Sequence, residues 1–374
     1  MTSQSLDAKY MRMALRLAEQ ARGRTSPNPM VGAVVIKDGR VISRGYHQRA
    51  GEPHAEAVAL EKAGKKAQGA VLYVTLEPCS HSHKRTPPCT PLVIESGVKR
   101  VVVAMIDPNP RVSGSGIRAL RAAGIEVTTG VFEGEARKLN EAFIKYIATG
   151  LPLVTLKIAQ TLDGKIATAS GESKWITGAE ARRVGHRLRH MNDAVLVGIN
   201  TVLADDPALT ARISGGRDPV RVIVDSTLRT PITARVLTRT VSNKTIVATL
   251  RNAPKAKMKK LIAAGAEVIV TRSEKGRVDL RDLMRKLAKR NIMSVLIEGG
   301  AEINASACRF GIVDKVVLLI APLLMTGKDS LCSIGGASPK KLRQAFRISD
   351  ITLRFIGQDL MITGYIKQNA RARK

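Results

Sequence analysis

Aromatic side chains are scarce in this chain: Phe, Tyr and Trp together make up 3% of its 374 residues. So small a number provides no aromatic-rich stretch on which exposed bases could stack, which disfavours a surface built for single-stranded nucleic acid. Acidic residues are also few, 31 Asp+Glu against 61 Lys+Arg, and the net charge is +30. Such an excess attracts nucleic acid non-specifically through phosphate contacts. Because the positive charge is spread along the chain, we interpret most of it as solvated faces.

Long apolar runs and a cysteine framework are lacking as well. No run approaches the roughly eighteen apolar residues that span a membrane, and residues 1–8 are polar and lead into a helical pattern rather than a signal-peptide core. Four cysteines in so long a chain do not suggest a disulfide framework. We therefore expect a cytoplasmic protein with no membrane partner. Cys308 and Cys332 have no ligand-type neighbours, and we predict that both are buried as small hydrophobic residues.

The length and the order of predicted elements indicate two domains. A chain of 374 residues exceeds what one core usually supports, and a Gly-Leu-Pro interruption at residues 150–152 separates two series of alternating strands and helices. This alternation is typical of layered α/β domains. We predict domains at 1–150 and 151–368, with a basic tail at 369–374. Predicted helices include 7–22, 116–123, 133–147, 179–190 and 301–308, and predicted strands include 71–76, 153–159, 294–297, 346–356 and 360–366.

The clearest chemical signal is one histidine and two cysteines arranged around a glutamate. His54 and Glu56 follow a proline, which predicts that both lie in the first turns of a helix. Cys79 follows a buried strand, and Cys89 opens a helix. Three such ligands suit zinc and leave its fourth tetrahedral position for water. Zinc lowers the pKa of bound water to about 7, and a nearby carboxylate moves protons. The pattern predicts a hydrolase of the deaminase type, with Glu56 as its catalytic acid–base.

Three alternatives compete with this interpretation. His81 or His83 could supply a fourth ligand, which would make the zinc site structural. The positive charge and the zinc chemistry together are also compatible with a nucleic-acid cytidine or adenosine deaminase that carries a basic accessory domain. Residues 114–119 match the dinucleotide pattern G-x-G-x-x-A, but no acidic residue follows where a ribose would need one. For that segment we predict a turn that opens a helix.

Several segments around the predicted ligands share one resemblance. They are Pro27-Asn28-Pro29, Val31-Gly32, Gly45-Tyr46-His47, Thr75-Leu76-Glu77-Pro78-Cys79-Ser80-His81, Thr86-Pro87-Pro88-Cys89 and Asp107-Pro108-Asn109-Pro110. Together they resemble the deaminase domain of the bifunctional riboflavin-biosynthesis deaminase–reductase family. Nine residues separate the two cysteines, one more than the family usually has, which indicates an insertion near Ser82-His83-Lys84. Either Lys84 or Arg85 then takes the family's basic, substrate-contacting position.

The second half resembles the reductase domain of the same family. The matching segments are 157–167, Gly171 to Thr177, Leu203-Ala204-Asp205-Asp206-Pro207 and Glu298-Gly299-Gly300-Ala301. The resemblance extends from about Tyr10 to about Ile366. It implies a cytidine-deaminase-like α/β/α domain followed by a dihydrofolate-reductase-like α/β domain, which binds NADPH without a Rossmann fingerprint.

The resemblance also implies a pathway step and its residues. The first domain would hydrolyse the ring amino group of a phosphoribosylamino-pyrimidinone, and the second would use NADPH to reduce the ribosyl group to ribityl. By this resemblance His54, Cys79 and Cys89 hold zinc, Glu56 transfers protons, and Asn28 and His47 orient the substrate.

For the reductase domain the resemblance implies two sets of contacts. Lys157 is in addition a candidate proton donor, although a strand lysine at a domain edge is more often simply solvated. The cofactor contacts are Ala159, Trp175, Thr201, Asp205, Ser226 and the turn from Gly300. The substrate contacts are Ser173, Arg189, Leu209, Arg212 and Glu298. Arginine also suits a phosphate monoester on chemical grounds, because its forked donors make charge-assisted bonds. We expect a phosphorylated pyrimidine as substrate, no specific nucleic-acid partner, and a homo-oligomer.

Overall fold

The computed structural model describes residues 3–80, 87–110, 112–238 and 244–367, and the chain divides into two compact units between Leu151 and Pro152. Each unit is built around its own main sheet, in keeping with the predicted alternation of strands and helices. Within these described ranges, no helix is both long and apolar enough to cross a lipid bilayer.

The first unit contains a five-stranded sheet. Its strands are β1 (Gly32–Lys37), β2 (Arg40–Tyr46), β3 (Val71–Leu76), β4 (Arg100–Met105) and β5 (Glu126–Thr129). Its helices are α1 (Ser3–Glu19, predicted over 7–22), α2 (Ala55–Ala63), α3 (Cys89–Glu95), α4 (Ser115–Ala122), α5 (Glu133–Leu139) and α6 (Glu141–Thr149), with a 3₁₀ turn at Gly64–Ala67. The order across the sheet is β2-β1-β3-β4-β5, with β1 antiparallel to both neighbours and β3, β4 and β5 parallel.

Helices cover both faces of this sheet. Helix α1 packs on β1 and β3 and against α5, whereas α2 packs on β1 and β2 and against α3. Ala33 is the cross-strand partner of Gly45, so Gly32 and Gly45 point to opposite faces. The backbone of α1 adjoins Gly32, and the backbone of α2 adjoins Gly45. The expected α/β/α layering of the first domain is therefore confirmed.

Gly45 determines how closely α2 approaches the sheet. A Cβ atom at this position would lie 2.4 Å from the carbonyl oxygen of Ala55 and 2.7 Å from the backbone nitrogen of Ala59. Both separations are far inside van der Waals contact, so a side chain here would push the beginning of α2 away from the sheet. His54 and Glu56 lie at that end of the helix, and their depth in the unit depends on Gly45.

The prediction of one helix over 133–147 is wrong, because the helix breaks at Asn140 between α5 and α6. Asn140 is buried, with φ −106° and ψ 22°. Its side-chain oxygen accepts a hydrogen bond from the Met30 nitrogen at 2.8 Å, and its side-chain nitrogen donates to the Met30 oxygen at 3.0 Å. Backbone polar groups in an interior need such partners. The break thus connects the helical layer to the loop that carries Asn28.

The second unit contains a nine-stranded sheet with helices between its strands. The strands of the unit are β6 (Leu153–Thr161), β7 (Lys165–Ala167), β8 (Ala194–Gly198), β9 (Val220–Val224), β10 (Thr245–Leu250), β11 (Ala266–Thr271), β12 (Ser273–Glu274), β13 (Arg277–Val278), β14 (Ser294–Ile297), β15 (Lys315–Ala321), β16 (Leu331–Cys332), β17 (Ile348–Ile356) and β18 (Asp359–Ile366). Four of them, all short, lie outside the nine-stranded sheet and form two separate pairs, β12 with β13 and β16 with β7. Its helices are α7 (Ala179–Met191), α8 (Ile199–Asp205), α9 (Arg235–Thr238), α10 (Lys255–Ala263), α11 (Leu280–Ala288) and α12 (Ala301–Arg309), with a 3₁₀ turn at Leu342–Gln344.

The order of the main sheet is β11-β10-β9-β8-β14-β6-β15-β18-β17. The first seven strands of this order run parallel, and the last two are antiparallel additions. Strands β8, β10 and β14 are buried along almost their whole length, as parallel strands covered on both faces are. The α/β class expected for this domain is confirmed.

The two cysteines outside the predicted zinc site differ in exposure. Cys308, on α12, is buried as predicted, whereas Cys332, in β16, is exposed. The prediction of burial is therefore wrong for Cys332. Strand β16 pairs with β7 in a separate two-stranded ribbon rather than joining the main sheet, and the ribbon does not cover this side chain.

Candidate active sites

Three side chains of the first unit converge where a metal ion would fit. His54 was predicted to lie in the first turn of a helix, and it is instead the residue immediately before α2. Cys79 follows β3, and Cys89 begins α3. The Nδ1 atom of His54 lies 3.2 Å from the Cys89 sulfur and 3.5 Å from the Cys79 sulfur, and all three ligand atoms lie within 4.8 Å of one another. Tetrahedral zinc with its usual nitrogen and sulfur bond lengths separates such ligands by roughly 3.5–3.8 Å. The spacing and the donor types both fit zinc.

Glu56 is a buried acid that interacts with this triad. It lies in the first turn of α2, and its Oε2 atom is buried with no hydrogen-bond partner. Burial raises the pKa of Glu56 to about 7, and the nearby Cys79 sulfur adds to the increase. A cation held by the triad would lower that pKa again. A buried carboxylate oxygen beside an open metal position is suited to proton transfer near neutral pH.

His47 and Asn28 form a pair next to the triad. The His47 ring stands edge-on to the His54 ring, with 5.3 Å between centroids. Its Nδ1 atom lies 3.1 Å from the Pro53 carbonyl oxygen, and its Nε2 atom lies 3.1 Å from the Asn28 side-chain nitrogen. Burial lowers the pKa of His47, and His54 lowers it further. A neutral ring that donates from Nδ1 and accepts at Nε2 satisfies both contacts.

The loop between the two cysteines is only partly described. His81, His83, Lys84 and Arg85 lie outside the described residues. The alternative of a fourth protein ligand and the choice between two basic residues therefore both stay predictions, as does the basic tail at 369–374.

A cavity of about 290 Å³ lies in the second unit, beside the carboxyl end of β14. Most residues that the resemblance implicates line it: Lys157, Ala159, Ser173, Trp175, Arg189, Thr201, Asp205, Arg212, Glu298 and Gly300. Two do not. Leu209 is buried in the hydrophobic core, and the Ser226 hydroxyl accepts a hydrogen bond from the Val278 nitrogen.

A buried carboxylate organises the cationic side of this cavity. Arg189 donates from Nε and Nη2 to the two oxygens of Glu298 at 2.7 and 3.0 Å, and Lys157 approaches Oε2 at 3.4 Å. Burial alone would raise the pKa of Glu298, but the charges of Arg189 and Lys157 lower it to about 2. Arg189 also donates to the Thr210 carbonyl oxygen. The carboxylate is thus ionised, and it fixes the orientation of the arginine.

The remaining walls fit a nucleotide cofactor. Trp175 is 66% exposed, and the Arg182 guanidinium lies over its ring at 4.6 Å. Asn304, on α12, is 1% exposed, and its Oδ1 atom has no hydrogen-bond partner. Gly300 immediately precedes α12, where backbone N–H groups attract phosphate. An acceptor, an anion-attracting helix end and an exposed indole together suit a ligand such as NADPH.

His186 and Asn304 are among the residues that line this cavity and that sequence reasoning missed. His186 is three residues before Arg189 on α7, a spacing that places both on one helix face, and this signal was available. Burial lowers the pKa of His186, and the charges of Arg189 and Arg212 lower it further. Nothing in the local sequence distinguishes Asn304 from an ordinary helical asparagine.

Comparison with known proteins agrees with both sites. Residues 4–105 match the family described as the cytidine and deoxycytidylate deaminase zinc-binding region, and residues 152–361 match the RibD C-terminal domain. The riboflavin biosynthesis protein RibD of Aquifex aeolicus is 48% identical over 96% of this chain and 98% of its own length. RibD of Escherichia coli strain K12 is 42% identical, over 95% and 98%.

Solved structures show the same relationship over the whole chain. Acinetobacter baumannii RibD has a TM-score of 0.88 at 38% identity and covers 98% of this chain and 100% of its own. A Thermotoga maritima protein, described as a diaminohydroxyphosphoribosylaminopyrimidine deaminase/5-amino-6-(5-phosphoribosylamino)uracil reductase, has a TM-score of 0.86 at 39% identity with the same coverage.

The fold and the two sites define a bifunctional enzyme, with a zinc-binding deaminase domain and a separate reductase domain. The chain belongs to the RibD family of riboflavin biosynthesis proteins. The alternative of a nucleic-acid deaminase with a basic accessory domain is not supported, because the second half is a RibD reductase domain.

Proposed function

We propose that the chain catalyses two consecutive reactions on one phosphorylated pyrimidine. Residues 1–150 remove the ring amino group of 2,5-diamino-6-(5-phosphoribosylamino)pyrimidin-4(3H)-one by hydrolysis, and residues 151–368 reduce the ribosyl group of the product with NADPH. The substrates named for the Thermotoga maritima relative support this proposal. Its main structural support is one chain that contains both the His54–Cys79–Cys89 triad and the cavity around Glu298.

In the first reaction His54, Cys79 and Cys89 hold zinc. Zinc, when bound, supplies an activated water near neutral pH. Glu56 accepts the proton of that water and delivers it to the departing ammonia, a role that its buried Oε2 atom, which has no hydrogen-bond partner, supports. His47 stays neutral and, held by Asn28 and Pro53, orients the pyrimidine.

In the second reaction NADPH, when bound, supplies the hydride. Ala159, Trp175, Thr201, Asp205, Ser226 and the turn from Gly300 contact the cofactor; Ser173, Arg189, Leu209, Arg212 and Glu298 hold the substrate. Ser226 and Leu209 do not line the cavity, so their contacts are proposed from the family resemblance alone. Because Glu298 already engages the fork of Arg189, Arg212 at the cavity rim is the stronger candidate for the phosphate monoester. Lys157 is the proposed proton donor.

The experiment that tests this function is NADPH oxidation by the purified chain with the deaminated phosphoribosyl intermediate as substrate. We expect oxidation with that intermediate, and with the diamino precursor only after ammonia has been released. Oxidation of NADPH with the precursor before any ammonia appears would contradict the order of the two reactions. Absence of oxidation with either compound would contradict the substrate assignment.

We also propose that the chain self-associates through an apolar face at the end of the second sheet. On the outermost strand, Ile351, Leu353 and Phe355 are 56%, 63% and 81% exposed, and alternate residues of a strand share a face. Leu353 lies opposite Ile362, and Phe355 lies opposite Leu360, so the apolar face continues onto β18. An exposed apolar edge of this kind is a usual site of association.

Sedimentation analysis of the Leu353→Glu variant tests self-association. We expect a lower mass for this variant than for the unmodified chain, because a charge would be buried in the interface. Arg354→Glu, on the opposite face of the same strand, is the matched control and should leave the mass unchanged. Equal masses for all three proteins would contradict an interface on this face.

We also propose that the chain is cytoplasmic, because NADPH and reduced cysteines are available together there.

A further inference from the structure

Glu77 is a buried acid that neither reaction uses. It follows β3 directly and lies two residues before Cys79. Its backbone nitrogen donates to the Met105 oxygen at 3.0 Å, which extends the pairing of β3 with β4 by one residue. The side chain is only 4% exposed. The polar atoms of a carboxyl group so deep in a domain require hydrogen-bond partners.

The partners are backbone N–H groups, one from Asp107, shortly after β4, and three from the start of α4. Oε2 accepts from Asp107 at 3.1 Å and from Gly114 at 2.9 Å. Oε1 accepts from Gly116 at 2.9 Å and from Ile117 at 3.2 Å. Hydrogen bonds from backbone N–H to an ionised carboxylate are among the stronger protein hydrogen bonds, and the positive end of a helix dipole favours the negative charge.

This contact explains the dinucleotide-like pattern at residues 114–119. The N–H groups that such a pattern offers to a phosphate are occupied by an internal carboxylate. A Cβ atom on Gly116 would lie 2.2 Å from the Pro78 oxygen and 3.2 Å from Glu77 Oε1. Glycine is therefore required at residue 116 because the cysteine loop packs against the helix, not because a nucleotide does.

The same contact continues to both cysteine ligands. Thr90 donates from its hydroxyl to the Pro78 and Cys79 oxygens at 3.0 and 3.1 Å, and from its nitrogen to the Cys79 oxygen at 3.0 Å. The Cys89 nitrogen donates to the Cys79 sulfur at 3.3 Å. Helix α4, the Glu77–Cys79 segment and the start of α3 thus form one hydrogen-bonded unit.

We propose that Glu77 is a positioning residue for the metal centre: by binding the start of α4 it places Cys79 relative to His54 and Cys89, and so sets the affinity for zinc. This inference rests on the ligand assignment of the proposed function. Partners that orient metal ligands from outside the coordination sphere typically change metal affinity by about 10–100-fold when they are lost.

The test is the zinc dissociation constant of the purified full-length Glu77→Gln variant, measured by competition with a chromophoric chelator. The amide keeps the shape of the side chain, but its NH₂ group would face two N–H donors. We expect zinc to bind about 10–100-fold more weakly. With cobalt(II) in place of zinc, we also expect the visible absorption bands to shift, because they report the geometry of the thiolate ligands.

A matched control separates positioning from loss of stability. Tyr73, also on β3, donates from its hydroxyl to Asp7 at 2.7 Å, away from the cysteine loop. Tyr73→Phe should destabilise the first unit but leave zinc affinity and the cobalt spectrum unchanged. Glu77→Asp retains the carboxylate and should bind zinc more tightly than Glu77→Gln. If Glu77→Gln does not fold, Glu77→Asp is measured in its place, and we expect it to bind zinc more weakly than the unmodified chain.

The outcomes distinguish this inference from the ligand assignment. Unchanged zinc affinity and an unchanged cobalt spectrum in the Glu77 variant would overturn the positioning role. An equal loss of affinity in Tyr73→Phe would overturn it too, because stability alone would then explain the effect. Retention of zinc by Cys79→Ser would instead refute the ligand assignment.

Discussion

The two sites of this chain hold their functional groups in different ways. In the deaminase unit the three ligands fall within 36 residues, from His54 to Cys89, and backbone hydrogen bonds fix the segments that carry two of them. In the reductase unit Lys157, Arg189 and Glu298 are far apart in sequence and are held together by charge. The first arrangement should therefore respond mainly to loss of metal, and the second to loss of charge.

Metal removal should produce the largest difference between the two sites. We expect a strong chelator to abolish ammonia release completely, while NADPH oxidation with the deaminated intermediate continues at its original rate. The reason is that the activated water depends on the zinc, whereas the reductase cavity is lined by none of its ligands. Added zinc should restore ammonia release. Loss of both activities on chelation would show that the sites are not independent.

The Glu56→Gln variant should have the next largest effect. We expect ammonia release to fall by about 10²–10⁴-fold, the usual contribution of a positioned acid–base. Zinc content should stay unchanged, because Glu56 is not among the three ligands. Metal analysis and an ammonia assay on one preparation measure both quantities, and NADPH oxidation with the deaminated intermediate serves as the control. A Glu56→Gln protein that deaminates at the original rate would refute the role of this residue.

The Arg189→Ala variant should lower the catalytic efficiency of the reductase. It removes the two donors that hold Glu298 in the cavity wall. We expect transition-state binding to weaken by the equivalent of one charge-assisted bond, roughly 1.5–3 kcal/mol, and kcat/KM for the intermediate therefore to fall about 10–100-fold. Arg187→Ala, an exposed arginine on the same helix that does not line the cavity, is the matched control. Ammonia release should be unchanged in both variants, and an equal fall in both would contradict a specific role for Arg189.

Acid should produce the smallest effect, a loss of stability of the reductase unit through protonation of Glu298. The pKa of Glu298 is about 2 in the folded protein, below its ordinary value of 4.5. The unfolded chain therefore takes up the proton first as pH falls, so the stabilisation is fully present above about pH 4.5 and is lost towards pH 2. A shift of that size corresponds to at most roughly 3 kcal/mol. Urea unfolding between pH 6 and pH 3 should show a smaller pH dependence in Glu298→Gln than in the unmodified chain.

The sequence signals for the deaminase triad, whose three members the structure brings together, are local. His54 and Glu56 lie two residues apart at a helix start that a proline marks, and the two cysteines flank one loop. The Glu298 cluster could be inferred only by resemblance, since no periodicity brings together residues separated by more than a hundred positions. Glu77 was visible in the Glu-Pro-Cys motif, but its partners are backbone groups 30–40 residues away.

The limits of the fold prediction have similar causes. The break at Asn140 depends on a pairing with Met30, 110 residues away, and hydrophobic periodicity does not record such a contact. The exposure of Cys332 depends on which sheet its strand joins, a question of topology that composition does not answer. The short buried strand β14 was placed correctly because residues 295–297 form a continuous apolar run.

Gly45 has a consequence for attempts to redesign the deaminase. Because the backbone of α2 rests directly on this residue, enlarging it would displace His54 and Glu56 together as one rigid piece. Ligand and acid would keep their mutual spacing while both moved relative to the cysteines. Position 45 is therefore a poor choice in a library meant to broaden substrate range. Libraries that vary the loop around Asn28 leave the contact between α2 and Gly45 unchanged.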